Sequence, residues 1–193
     1  MELNDALTTQ QSYLKIGNYS NTYLLETAVQ EIQGLLLTNP EVIIYGKVAH
    51  QHRSIGFFSN ESVGYSYSGK IAQSQPLTPS LEILLENINS IFNSNYNGIL
   101  VNYYSNGSDY IGAHSDDETM LGPNGVISLS YGATRKFRIR DKNTKKIVID
   151  VPVTSGTLIW MGGKFQREFT HEIPAEKKIK EGRYSFTFRQ HLL

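Results

Sequence analysis

Apolar and polar positions along the chain follow two rhythms. Over residues 23–37, Leu24, Leu25, Ala28, Val29, Ile32, Leu35 and Leu36 recur at helical spacing, which predicts a helix with one apolar stripe that Asn39-Pro40 stops. Thr78-Pro79 predicts a second helix start, with Thr at the cap and Pro at the first position, and Leu81, Leu84, Leu85, Ile88, Ile91 and Phe92 line one face. Elsewhere the rhythm is two, and it predicts strands over 13–19, 42–45, 99–104, 110–116, 126–131, 135–140, 146–153, 157–161 and 183–189, with a strand end at 65–69. Short strands, Gly-rich turns and helices confined to the N-terminal half predict a mainly β fold with flanking helices. The expected architecture is a double-stranded β-helix, a cupin-like jelly roll in residues 96–193 braced by the helices of residues 1–95, all in one domain.

Two of these strands carry chemistry. In residues 183–189 the aromatics Tyr184, Phe186 and Phe188 alternate with Arg183, Ser185, Thr187 and Arg189, giving one aromatic and one polar face. Such a face is either a solvated edge or the lining of a pocket whose guanidinium groups grip a carboxylate. In residues 110–116, strand alternation projects His114 and Asp116 to the same side. One imidazole and one carboxylate there are two corners of the 2-His-1-carboxylate arrangement that holds non-haem iron(II), unless they are a surface pair or a capping Asp. His171 is the best third corner: it lies 55 residues beyond Asp116, after the turn-rich Gly162-Gly163-Lys164.

Composition narrows the chemistry further. The chain has 193 residues and no cysteine, so any metal must sit on His and carboxylate ligands, and no disulfide framework exists. The polar, acid-bearing start lacks the pattern of a targeting peptide, and no apolar run is long enough to span a bilayer, so an intracellular protein of nucleus or cytoplasm with no membrane partner is expected. The 18 basic and 18 acidic residues cancel, leaving any nucleic-acid footprint to local charge. Residues 135–146 hold seven bases against one acid, with Lys136, Arg138 and Arg140 on one face and Phe137 and Ile139 on the other. That basic stripe reads as phosphate contacts or as edge protection, with phosphate preferred. His50 and His52 stand in an expected polar loop where nothing nearby completes a metal site.

Order and spacing of several motifs resemble the AlkB-type 2-oxoglutarate- and iron(II)-dependent dioxygenases, most closely their duplex-repairing branch. The matching residues are Asn102 and Tyr104, the H-x-D-x-E of His114, Asp116 and Glu118, the S-x-S-Y-G of residues 128–132, Arg135 and Phe137, His171, and Arg183 and Arg189 followed by Gln190. Tyr45-Gly46-Lys47 and residues 65–69 extend the likeness upstream, over roughly residues 42–191. The resemblance implies iron(II) on His114, Asp116 and His171, with 2-oxoglutarate and O2 as co-substrates. It also implies a 2-oxoglutarate site formed by Asn102, Tyr104, Arg183, Thr187 and Arg189, with Arg183 on the distal carboxylate and Arg189 near Asp116. The implied substrate is alkylated DNA or RNA, such as 1-methyladenine or 3-methylcytosine, demethylated with release of formaldehyde and succinate by a monomeric enzyme. Residues 1–95 would then include the nucleotide-recognition segment. Implied substrate contacts are Tyr45, Arg53, Tyr67, Ser68, Glu118, Arg135 and Arg138. Tyr67 would stack on the flipped base, Glu118 would meet its exocyclic amine or be a surface glutamate, and Tyr45 would be a wedge or an ordinary strand-end tyrosine. The alternatives are an oxygenase acting on a protein or small molecule, and a non-catalytic nucleic-acid-binding relic of the fold.

Overall fold

The computed structural model describes residues 1–44, 46–61, 64–67, 70–116 and 121–192, with 44, 65–67 and 70–72 described by backbone alone. In chain order the elements are β1 (Leu3–Thr8), β2 (Ser12–Asn18), α1 (Thr22–Ile32), β3 (Glu41–Ile44), β4 (Lys47–His50), β5 (Ser54–Phe58), β6 (Gly64–Tyr67), β7 (Lys70–Gln75) and α2 (Pro79–Phe92). They continue with β8 (Gly98–Tyr104), β9 (Ile111–His114), β10 (Val126–Gly132), β11 (Arg135–Asp141), β12 (Ile147–Val153), β13 (Thr157–Gly163), α3 (Phe165–Glu168), β14 (Phe169–Ile173) and β15 (Arg183–Arg189).

The strands form a nine-stranded sheet in the order β1-β2-β13-β10-β15-β8-β5-β7-β6 and a four-stranded sheet in the order β12-β11-β14-β9. A separate hairpin pairs β3 with β4. From β8 onward the strands are dealt between the two sheets as a double-stranded β-helix: β8, β10, β13 and β15 go to the large sheet and β9, β11, β12 and β14 to the small one. The jelly roll expected from the strand pattern is therefore present.

Alternation along the central strands decides what lies on each side of the large sheet. Ile99 and Val101 of β8, Ile127 and Leu129 of β10, and Tyr184, Phe186 and Phe188 of β15 pack in one core with Leu25, Ala28 and Ile32 of α1 and Leu81, Leu84 and Ile88 of α2. The opposite faces meet the small sheet in a second core, where Tyr104, Val126, Ile159 and Met161 lie with Ile111, Phe137, Ile139, Val151 and Ile173. The polar face of residues 183–189 thus looks into the space between the sheets. The solvated-edge reading fails because β15 has a partner on each side, β10 and β8.

Both helices are shorter or differently capped than the periodicity predicts. α1 starts where the Asn21 side chain accepts from Leu24 N at 3.1 Å and ends at Ile32, short of residue 37. Past Gly34 the backbone of Leu37 exchanges hydrogen bonds with Ile55 instead, which leaves the Leu35 and Leu37 side chains exposed. Thr78 takes the N-cap position of α2 without a side-chain cap bond, and the helix start is tied to α1 by Ser80, whose N and Oγ donate to Glu31 at 3.0 and 2.7 Å. The expected polar loop after Gly46 is in part strand β4, because residues 47–50 complete a ladder with β3. Trp160 packs edge-on to Tyr13 and Phe92, as a wall residue should.

Candidate active site

β14 and β9 run side by side in the small sheet, and His171 is the register partner of His114. That pairing puts the two rings 4.3 Å apart between centroids. Gly163, at φ +65, turns the chain from β13 into α3 and so returns it to the site; a Cβ there would meet Gln11 O at 2.1 Å.

Asp116 arrives differently from expectation. β9 ends at His114, so Asp116 is placed beyond the ladder rather than by strand alternation. Three contacts bring it in: Ser115 Oγ donates to Phe169 O at 2.9 Å, Asp116 N donates to Gln166 Oε1 at 2.9 Å, and Arg189 Nη2 donates to Asp116 Oδ1 at 2.7 Å. His171 Nε2 then lies 3.5 Å from Asp116 Oδ2 and His114 Nε2 lies 4.0 Å from Asp116 Oδ1. One donor atom from each of the three residues falls within a 4.8 Å spread, which a single ion can bridge.

The electrostatics suit a cation at that point. Burial would raise the Asp116 carboxyl, but Arg189, then His171 and His114, hold it down at about 2, so it is ionised at neutral pH. Burial, followed by the neighbouring His114, pushes His171 down to about 3, and burial lowers His114 as well. Both imidazoles are therefore neutral, the form that offers a lone pair to a metal. His114 Nδ1 lies 2.9 Å from Gly112 O, which assigns its proton to Nδ1 and leaves Nε2 free to ligate.

Asn102, Tyr104, Arg183, Thr187 and Arg189 line the same cavity as the three donors, from the opposite sheet. Arg183 is 1% exposed; its Nη2 donates to Ser130 Oγ at 2.8 Å, and its Cζ lies 5.4 Å from the Tyr104 ring centroid. Its Nε and Nη1 have no partner among the described residues. Burial pulls its pKa down to about 10, so it remains a cation at neutral pH. A buried guanidinium with Nε and Nη1 unmatched at a cavity calls for an anion, and a carboxylate can take either edge of it, with Nη1 or Nε as one prong and the second N–H of Nη2 as the other.

Of the other expected contacts, Arg53 lines this cavity too: it is buried and donates from Nε to Asn102 Oδ1 at 2.7 Å. Arg135 is buried as a stitch between loops, donating to Asn106 O, Asp109 O and Pro174 O and pairing with Glu176. Arg138 forms a two-pronged pair with Asp150 at 2.7 and 2.8 Å, Arg140 pairs with Glu172, and Lys136 with Glu176. Cross-strand acids from β12 and β14 and Glu176 thus meet the charge of Lys136, Arg138 and Arg140 within the fold. Tyr45, Ser68 and Glu118 lie outside the described residues, and Tyr67 is described by backbone alone.

Sequence reading has Ser185 on the polar face of residues 183–189 and Ser128 and Ser130 in the S-x-S-Y-G motif, without a role for the two motif serines. Ser128 and Ser185 have Oγ atoms 3.2 Å apart on the cavity wall. Period-two spacing marks all three serines, and Gln166 alone was missed. Gln166 carries no such signal.

A double-stranded β-helix with two neutral histidines and an ionised aspartate around one point defines a mononuclear non-haem metal protein with an anion-binding arm. Comparison fixes the family: residues 15–189 match the model of the 2OG-Fe(II) oxygenase superfamily, and the chain belongs to it. The chain is therefore an oxygenase that uses Fe(II), 2-oxoglutarate and O2. It is 30% identical over 177 residues to human DNA oxidative demethylase ALKBH2, spanning 88% of this chain and 67% of the relative. It is 36% identical over 135 residues to human alpha-ketoglutarate-dependent dioxygenase alkB homolog 3, spanning 65% of this chain and 47% of that one. The solved structure of OsALKBH1 superposes with a TM-score of 0.59 at 19% identity, covering 97% of this chain and all of its own, and so supports the fold.

Proposed function

We propose that this protein is a nucleic-acid dealkylase that oxidatively removes N-alkyl groups from DNA bases such as 1-methyladenine and 3-methylcytosine. The observation that carries it is the shared cavity: a buried guanidinium, Arg183, with Nε and Nη1 unmatched, lines it from one sheet, and the His114, Asp116 and His171 donors line it from the other side. The substrate follows from the likeness to ALKBH2, a DNA oxidative demethylase.

His114, Asp116 and His171 would hold the iron. When bound, iron with 2-oxoglutarate and O2 supplies the oxidation of the N-alkyl carbon, giving succinate, carbon dioxide and an N-hydroxymethyl base that releases formaldehyde. Arg183 takes the distal carboxylate of 2-oxoglutarate, its planar fork fixing both distance and orientation. Arg189 keeps Asp116 ionised and aimed, leaving Oδ2 toward His171. Arg53 holds Asn102 in place on the cavity wall. Leu100, Ile111, Phe137 and Met161 exclude water around the cavity.

Methyl groups on a pairing edge are reached only after the base leaves the stack, and a lesion that pairs badly is cheaper to extract. Tyr67 as stacking platform, Ser68 and Glu118 at the base edge and Tyr45 as wedge complete the proposal by resemblance. The enzyme would act as a monomer in the nucleus or cytoplasm.

The test is formaldehyde release from oligonucleotides bearing either lesion, with iron(II) and 2-oxoglutarate supplied or withheld, alongside His171→Ala. Release should require both additions and vanish in the variant. Equal release without 2-oxoglutarate would refute the proposal, and succinate formation that no methylated DNA or RNA stimulates would assign the oxygenase to a protein or small molecule.

A further inference from the structure

Asp116 is the one member of the His114, Asp116 and His171 group that no strand ladder holds, since β9 ends at His114 and β14 carries His171. Its backbone N–H, in a residue only 4% exposed, finds its acceptor in a side chain, Gln166 Oε1 at 2.9 Å. We infer that Gln166 is a positioning residue for the iron site: its amide oxygen, held by α3, fixes the backbone of Asp116 and thereby the direction of the metal-binding carboxylate. The inference rests on the reading of Asp116 as an iron ligand.

The Gln166 amide is itself oriented. Its Nε2 lies 3.7 Å from Met161 Sδ, a weak acceptor, and the flipped amide would set its NH2 group against the Asp116 N–H, donor against donor. Its backbone is fixed as well: Gln166 O accepts from Lys142 Nζ at 3.0 Å, and Lys164 N, two residues earlier, donates to Gln11 O at 2.9 Å. α3 runs directly into β14, so the four-residue helix that anchors Asp116 also sets the start of the strand bearing His171.

The carboxylate has two duties that need one orientation, since Oδ1 receives Arg189 at 2.7 Å while Oδ2 points at His171 at 3.5 Å. Arg189 alone fixes one oxygen and leaves rotation about that contact. The backbone bond to Gln166 removes it, holding the second oxygen where the two imidazoles converge. A mere filler for a buried N–H would matter to folding and not to the metal, and that difference is measurable.

The experiment is an anaerobic titration of the full chain with Co(II), read by calorimetry and by the visible absorption of the bound ion. Gln166→Met keeps the side-chain length and removes the oxygen; Gln166→Glu keeps an oxygen acceptor. Gln166→Met should raise the Co(II) Kd by about 10- to 100-fold, as expected for loss of a group that orients a ligand, and Gln166→Glu should stay within about threefold of the parent. At saturating Co(II), the 2-oxoglutarate Kd of Gln166→Met should stay within about threefold, because the arginine arm is untouched. Parent-like Co(II) affinity in Gln166→Met, or an equal loss in Gln166→Glu, would overturn the inference. Failure of the parent protein to bind Co(II) would instead remove the metal site, and the inference with it.

Discussion

Replacing Arg183 with methionine should move stability and co-substrate affinity in opposite directions. The side chain is 1% exposed, remains a cation with a pKa of about 10, and has two N–H-bearing nitrogens, Nε and Nη1, unmatched among the described residues. An apolar side chain of similar volume removes the desolvation cost of an uncompensated buried charge, so the exchange should be neutral or stabilising. For a chain of this size each kcal/mol is worth about 2 to 4 °C in Tm, so the ligand-free variant should melt at or above the parent temperature. Binding responds the other way. Each charge-assisted hydrogen bond contributes roughly 1.5 to 3 kcal/mol, so loss of a two-pronged grip costs roughly 3 to 6 kcal/mol, about two to four powers of ten in Kd. Calorimetric titration with 2-oxoglutarate at saturating Co(II), beside scanning calorimetry of the ligand-free protein, reads both quantities. In the parent protein the affinity should be level through neutral pH, because the guanidinium stays charged throughout that range. A variant that binds 2-oxoglutarate like the parent, or one that unfolds without it, would refute the assignment of Arg183 to the distal carboxylate.

Arg189→Met breaks a buried pair and strands the Asp116 carboxylate, so the metal-free protein should lose about 3 to 5 kcal/mol in urea unfolding; a loss below about 1 kcal/mol would show that the pair is not what holds Asp116. Metal at 100 times its Kd should stabilise the parent by about 2.7 kcal/mol. A chelator should reverse that gain, and His171→Ala should show neither effect. Arg138→Ala should leave the salt dependence of DNA binding unchanged, because its fork is closed on Asp150. A slope reduced by about one unit would mean that it contacts a phosphate after all. Arg135→Leu orphans the carbonyls of Asn106, Asp109 and Pro174. It should destabilise the protein by several kcal/mol while leaving the Co(II) Kd within about threefold, since it touches no metal-site donor.

What was legible in the sequence is what local periodicity encodes. The apolar spacing of α1 and α2 and the alternation of residues 183–189 each report which face is buried, and a strand with one aromatic and one Arg/Ser/Thr face can be recognised without knowing its neighbours. The choice between solvated edge and lined pocket was not local. It depends on β8 and β10 pairing with β15 from 79 or more and 51 or more residues away in the chain, a fact no window contains. For the same reason residues 135–140 looked like a free basic stripe: the acids that neutralise it, Asp150, Glu172 and Glu176, arrive from other segments. Asp116 shows the opposite limit. Its proximity to His114 was foreseen for the wrong reason, since the strand stops at His114 and a glutamine on a four-residue helix does the placing.

The two sheets divide the chemistry between them. The histidine donors belong to β9 and β14 of the small sheet, and the anion-binding arm to β8, β10 and β15 of the large one, so neither half can bind both groups alone. The Arg189–Asp116 pair spans that division, one end on β15 and the other just past β9, with both side chains 2% exposed. Stability alone does not explain keeping two charges there, because a buried ion pair is commonly no better than apolar packing. Its geometry does. An ionised Asp116 is what a metal needs, and the guanidinium that keeps it ionised is carried on the strand that also bears Arg183. Closing the sheets therefore sets the spacing between metal and co-substrate in the same act that buries the core, and a double replacement, Arg189→Met with Asp116→Leu, should recover most of the stability lost in Arg189→Met while binding no Co(II). Stability that stays as low as in the single variant would show that the clasp is not the source of the loss.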